Sequence, residues 1–248
     1  MNSNKISNEG MESFALNTSN YGFSAIEIAD LGASEYTLVT IAVDVSTSVH
    51  AFKDDLIACL KSTIDACKKS QRADNLLVRT ITFNKNVDEL HGFKLLENCG
   101  LDVYENIHPN GTTSLFDATV NSLEGIKSFG ENLYSQDFGV NGISIVITDG
   151  MDNESTNSPN QAKELIIEIQ QNEKLESLVS ILIGVNVEKP QIKQYLSDFE
   201  TGAAFDKYVE LGDASSETLA KLAQFVSKSI SQQSISLGTG KKSTILSF

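Results

Sequence analysis

The chain has no tryptophan, and of its 248 residues only three are proline, three cysteine and three histidine. An odd set of widely spread cysteines (Cys59, Cys67, Cys99) cannot form a closed disulfide framework, and it lacks the paired spacing of a zinc site. Cys59 and Cys67 fall on the apolar side of a helical pattern and read as buried free thiols. Basic residues are also scarce: 19 Lys and Arg stand against 33 Asp and Glu, a formal net charge of −14. That balance excludes binding by phosphate neutralisation, which needs clusters of Lys and Arg, so nucleic acid is not an expected partner. It equally excludes docking on anionic membranes. No apolar run is long enough to span a bilayer, and the opening MNSNKISNEGMES lacks the apolar core of a secretion signal. The expected compartment is a reducing cytoplasm.

What is present is enough for one domain with a full core, since 40% of the residues are hydrophobic. Composition divides the chain into an Asn- and Ser-rich mobile tail with a short edge segment (1–36), in which the alternation from Phe23 to Ile28 reads as an edge strand, a folded domain (37–231) and a flexible Ser- and Gly-rich tail (232–248). Within the folded part, apolar and β-branched runs at Thr37–Asp44, Leu76–Phe83, Gly142–Thr148 and Leu178–Ile183 read as strands buried on both faces. Val87 to Leu96 reads as a strand returning antiparallel after the Asn84-Lys85-Asn86 turn. Helical spacing follows Ser48 (Val49, Phe52, Leu56, Leu60, Ile64, Cys67), spans Thr112 to Lys127, and recurs at the C-terminus (Leu219, Leu222, Val226, Ile230). Ser158-Pro159-Asn160-Gln161 carries a capping box with Pro at the first helical position. A short helix is expected over Pro190 to Ser197 and a last strand at Tyr208 to Leu211. Strands alternating with helices imply an α/β fold: a Rossmann-like, doubly wound, mostly parallel sheet with one antiparallel edge strand and helices on both faces.

The central strand ends abruptly in Asp44-x-Ser46-x-Ser48. In an extended segment these three side chains project to one side, and side chains just past such a strand end lie in the crevice where open α/β sheets bind ligands. One carboxylate and two hydroxyls, without sulfur or imidazole, suit a hard cation such as Mg2+. Alone, the motif reads equally well as a helix N-terminus in which Ser or Asp caps free N–H groups. Two further segments tip the balance: Gly111-Thr112-Thr113-Ser114-Leu115-Phe116-Asp117-Ala118 at a helix start, and Thr148-Asp149-Gly150 after a buried strand. Together, in this order, the three segments resemble the metal-ion-dependent adhesion site (MIDAS) of von Willebrand factor type A (VWA) domains, over about Thr37 to Ile230.

That resemblance implies the VWA fold and a metal site made of Asp44, Ser46, Ser48, Thr113 and Asp149. Ser46, Ser48 and Thr113 would ligate Mg2+ through their hydroxyls, with Mn2+ or Ca2+ as alternative ions. Asp44 and Asp149 would act through bound waters. Thr113 matches the family's Thr when Thr112 replaces the second Gly of G-G-T-S-L-x-D-A; Thr112 is the alternative. The expected function is a Mg2+-dependent interaction module that binds an Asp or Glu of a partner protein. By analogy with intracellular bacterial and phage relatives, it would be an adaptor for a MoxR-like AAA+ ATPase or a member of a stress or defence system. No enzymatic activity is expected, because Ser46 and Ser48 lack a positioned His. A structural component that bridges subunits through its tails is the alternative. A phosphohydrolase with Asp44 as nucleophile is disfavoured, because Ser46 stands where that chemistry needs a second Asp.

Other candidates read as ordinary structure. Asp117 is expected to face its own helix and neighbouring backbone, and Asp152 and Glu154 to be solvated loop acids at the rim. His50 reads as a helix-start residue, His91 and His108 have no evident partner, and Phe116 reads as core. Gly238-Thr239-Gly240-Lys241-Lys242-Ser243-Thr244 looks like a phosphate loop but lacks its first Gly and its final Ser or Thr, and it follows no strand. The apolar tip Thr244 to Phe248 could add to a neighbour's sheet.

Overall fold

The structure is a computed structural model in which residues 11–16, 21–239 and 245–248 are described. The strands are β1 (Met11–Phe14), β2 (Phe23–Ile26), β3 (Glu35–Asp44), β4 (Leu76–Phe83), β5 (Val87–Leu95), β6 (Gly139–Thr148), β7 (Leu178–Gly184) and β8 (Lys207–Glu210). The helices are α1 (Lys53–Lys68), α2 (Leu115–Tyr134), α3 (Pro159–Gln171), α4 (Pro190–Ala203) and α5 (Ser216–Ser236). All eight strands join one sheet in the order β1-β2-β5-β4-β3-β6-β7-β8. β3, β4, β6, β7 and β8 are parallel to one another, β5 runs antiparallel to β4, and β1 runs antiparallel to β2. None of the helices among the described residues is long and apolar enough to cross a membrane.

β3 is the middle of this arrangement because it is buried on both faces. Val39, Ile41 and Val43 point into a core closed by α1 and α5. Leu38 and Ala42 point into a second core closed by α2, α3 and α4. A helix covers each face, so every residue from Tyr36 to Asp44 is buried, and each fully buried Leu or Ile contributes about 1.5–3 kcal/mol. From β3 the chain steps to β4 on one side and later to β6, β7 and β8 on the other. The direction of winding therefore reverses between β3 and β6. The crevice at their C-terminal ends is the ligand position of doubly wound sheets, and Asp44 and Asp149 lie there.

Several elements differ from the sequence expectation. Met11–Phe14, placed in a tail by its polar neighbours, is the true edge strand, so Phe23–Ile26 is one strand inward. The cause is aromatic: Phe14 stacks on Phe23 with ring centroids 4.7 Å apart and lies 6.0 Å from Phe129. β2 can lie against β5 because residue 92 has no side chain; a Cβ on Gly92 would sit 2.1 Å from the Ser24 carbonyl oxygen. α2 begins at Leu115 rather than Thr112, because the Thr113 and Ser114 amides donate to Asn153 Oδ1 and to the Asn84 carbonyl instead of entering a helix. α4 continues past Ser197, since Phe199 and Ala203 extend its buried face.

α5 also runs further than expected, to Ser236, through residues whose composition suggested a tail. Gln233 ties this stretch to the sheet. Gln233 Nε2 donates to the Gly142 carbonyl, and Asn141 Nδ2 donates to the Gln233 carbonyl. At the C-terminus Phe248 packs edge-on against Phe225, with centroids 5.5 Å apart, and Leu246 packs on the α1/α5 core. The apolar tip thus folds onto its own chain. Most of the phosphate-loop look-alike (240–244), and residues 1–10 and 17–20 of the expected N-terminal tail, lie outside the described residues.

Candidate metal centre

β3 delivers Asp44 to its C-terminal end, where the carboxylate is 1% exposed. Both oxygens are held by the chain itself. The Ser46 amide donates to Oδ1 at 2.8 Å, and Thr148 Oγ1 donates to Oδ2 at 2.6 Å. Asp44 therefore ties the end of β3 to the end of β6 and fixes the turn that aims the two serines. Ser46 Oγ lies 3.1 Å from Ser48 Oγ, and Ser48 Oγ donates to Asp149 Oδ1 at 2.8 Å. Asp44, Ser46, Ser48 and Asp149 thus form one connected group. Ser46 and Asp149 are buried while Ser48 is exposed, so the group opens to solvent on the Ser48 side.

Thr113 sits on a loop stitched to both neighbours. Thr47 donates to the Gly111 carbonyl through its amide (3.2 Å) and its hydroxyl (3.0 Å), and the Asn110 amide donates to the Val45 carbonyl. On the other side the Thr113 amide donates to Asn153 Oδ1 at 2.8 Å, while the Asn153 amide donates back to the Thr113 carbonyl at 3.0 Å. Thr113 is 5% exposed. The Thr112 hydroxyl turns outward and donates to Glu154 Oε2 at 3.1 Å, and Glu154 also pairs with Lys85 at 3.8 Å.

The electrostatics of the group are those of desolvated acids close together. Burial pushes the Asp44 carboxyl up to about 6; the Thr148 hydrogen bond opposes this and nearby Asp149 adds to it. Burial also raises Asp149, against the bond from Ser48. Among the described residues, the ion pairs of Lys and Arg involve neither acid. A bound cation would reverse both shifts, because it supplies the missing positive charge. No three His, Cys, Asp or Glu side chains converge as a metal cluster among the described residues. The oxygen donors here are two carboxylates supplemented by hydroxyls, and that donor set fits a hard divalent ion.

The remaining candidates find structural positions. Asp117 accepts from the amides of Thr156 and Asn157, pinning the loop after β6 to the first turn of α2. Asp152 is half-buried rather than solvated: it accepts from the Phe116 amide and from Ser155, and so serves the free N–H groups at the start of α2. His91 does have partners, with Nε2 3.2 Å from the Tyr104 hydroxyl and Nδ1 3.1 Å from the Gly92 carbonyl. His50 is exposed in the turn after Ser48, and His108 is exposed in the loop before Gly111. Phe116 packs on Phe199, with ring centroids 4.8 Å apart, as the core reading expects. Asn153, whose side chain and amide fasten the Thr113 backbone, is the position that motif spacing does not single out. It sits in a run of interchangeable polar residues.

No family model and no curated protein matches the sequence. Solved structures do share the fold. The PilB minor pilin from Streptococcus sanguinis is similar with a TM-score of 0.57 at 15% identity, covering 81% of this chain and 62% of its own. The pilus adhesin SpaC from Lactobacillus rhamnosus GG, in an open conformation, gives 0.59 at 10% identity, covering 90% and 33%. Proximal thread matrix protein 1 from the mussel byssus gives 0.53 at 18%, covering 80% and 46%. The chain spans less than two thirds of each of these proteins. At such identities the likeness speaks for the fold alone, which is VWA-like.

Proposed function

We propose that this chain is a metal-dependent protein-interaction module without catalytic activity of its own. Its site takes an Asp or Glu side chain of a partner protein. The observation that carries the reading is the convergence of Asp44, Ser46, Ser48 and Asp149 in one oxygen-only group at the β3/β6 switch point, with Thr113 on a loop fastened to both sides. Ser46, Ser48 and Thr113 would hold Mg2+ through neutral hydroxyls, while Asp44 and Asp149 orient those hydroxyls and balance the charge. Bound there, the ion would offer an electrophilic position to a carboxylate from outside. The chain's own residues aim the hydroxyls and keep the site open on the Ser48 side. The outward turn of Thr112 towards Glu154 supports Thr113 as the ligand. An AAA+ ATPase of the MoxR kind is the partner class that the family resemblance suggests, and a cytoplasmic setting goes with it.

The test is an affinity capture from native lysate with three arms: wild type in Mg2+, wild type in EDTA, and Asp44→Ala in Mg2+. A protein retained only in the first arm supports the reading. The same proteins in all three arms would overturn it. The alternative of subunit bridging through a free apolar C-terminal tip is weakened by the packing of Phe248 on Phe225.

A further inference from the structure

Thr113 is the one proposed ligand that no direct hydrogen bond ties to the Asp44–Asp149 group. Its hydroxyl can be useful only if its backbone is fixed. Both polar groups of that backbone go to one residue: the Thr113 amide donates to Asn153 Oδ1 at 2.8 Å, and the Thr113 carbonyl accepts from the Asn153 amide at 3.0 Å. Asn153 lies four residues beyond Asp149 on the same loop, and Asp117 and Asp152 in turn bind that loop to the start of α2. The pair of bonds therefore sets the position of the Thr113 loop by that of the Asp149 loop.

We infer that Asn153 is a positioning residue for the metal site, clamping Thr113 in register with Asp149. This rests on the metal reading given above. Asn153 is exposed, so replacing it opens no hole in the core, and its value lies in one oxygen at one place. Without that oxygen the Thr113 amide, on a residue only 5% exposed, loses its acceptor and the loop is free to drift from the serines. An Asp at this position keeps the acceptor; an Ala does not.

The experiment titrates Mn2+ into the full chain by calorimetry for wild type, Asn153→Ala, Asn153→Asp and Ser48→Ala. Amide hydrogen exchange at Thr113 is followed in EDTA. Loss of a group that orients a ligand typically weakens metal binding by about 10–100-fold. The expected result is a loss in that range for Asn153→Ala with faster Thr113 exchange, and recovery of most of the affinity in Asn153→Asp. A purely structural residue would move the metal-free melting temperature without this split between Ala and Asp. The inference is overturned if Asn153→Ala binds like wild type while Ser48→Ala does not, or if Ala and Asp lose affinity equally. If Ser48→Ala also binds like wild type, the metal reading itself fails. Should Asn153→Ala not fold, wild-type exchange still decides: a Thr113 amide that exchanges as fast as a free loop amide contradicts the clamp.

Discussion

Replacing Asp44 by Asn should stabilise the metal-free protein and at the same time weaken its response to Mg2+. The Asp44 carboxyl is raised from 3.8 to about 6, chiefly by burial. The folded state therefore holds the proton more tightly than the unfolded chain. Stability from the protonated form is fully present below 3.8 and is lost as pH rises through about 6. At pH 8 the ionised group costs the folded state roughly 3 kcal/mol. Asn is neutral and nearly isosteric. Its Oδ1 can accept from the Ser46 amide, and its Nδ2 can donate to the Thr148 hydroxyl, which has the Gly150 carbonyl 3.4 Å away for its own proton. Urea unfolding in EDTA at pH 8 should show the variant more stable by about 2–3 kcal/mol, and the difference should vanish towards pH 4. In Mg2+ at about a hundredfold excess over the wild-type Kd, wild type should gain about 2.7 kcal/mol and the variant, its affinity lowered about 10–100-fold, only about 0.4–1.4 kcal/mol. His91 sharpens the profile. Burial lowers it to about 4, so its contribution is full above pH 6.5 and is lost as pH falls towards 4, opposite in sign to Asp44 over the same window. Wild-type stability should therefore stay nearly flat there, and Asp44→Asn should fall by roughly 3 kcal/mol. A variant less stable than wild type at pH 8 in EDTA would refute the reasoning.

Other perturbations test the scaffold around the site. Arg79 is 1% exposed, donates to Glu89 at 2.6 Å and to Asn121 at 2.8 Å, and faces the rings of Phe23 and Phe93; Arg79→Ala takes the cation from the Glu89 carboxylate and empties a large buried site, and should lower urea-unfolding stability by about 3–5 kcal/mol. Gly92→Ala drives a methyl into the Ser24 carbonyl and should detach the β1–β2 hairpin, seen as fast amide exchange at Phe23–Ile26 in a protein that remains folded. Burial pushes Cys59 and Cys67 up to about 12 and Cys99 up to about 11. An aromatic disulfide reagent at pH 8 should thus label the thiols of the native protein far more slowly than those of the protein in urea.

Much of the architecture is written in the strand ends. A buried β-branched run that stops at an acid, as at Asp44 and at Thr148-Asp149, fixes both a strand and the side of the sheet where its polar residues gather. The capping box at Ser158 and Gln161 is equally local, and it forms as its residues predict. Features that depend on distant partners are not legible in this way. Phe14 stands close to Asn and Ser residues, and its packing on Phe23 and Phe129, with the pairing of β1 on β2, is what makes Met11–Phe14 a strand. Gln233 reads as tail because its acceptor and donor are the backbone of Gly142 and the side chain of Asn141, in a different part of the chain. Asn153 follows Asp152 and precedes Glu154, Ser155, Thr156 and Asn157. Each of these could accept from an amide, and the loop's path alone selects which one meets Thr113.

Crystals of the full chain soaked in Mn2+ and measured at the manganese absorption edge test the central claim most directly. The account predicts one strong anomalous peak bonded to the hydroxyls of Ser46, Ser48 and Thr113, with Asp44 and Asp149 in its surrounding shell, and no such peak in crystals of Ser48→Ala. An empty position there, or manganese bound only elsewhere on the acidic surface, would contradict it.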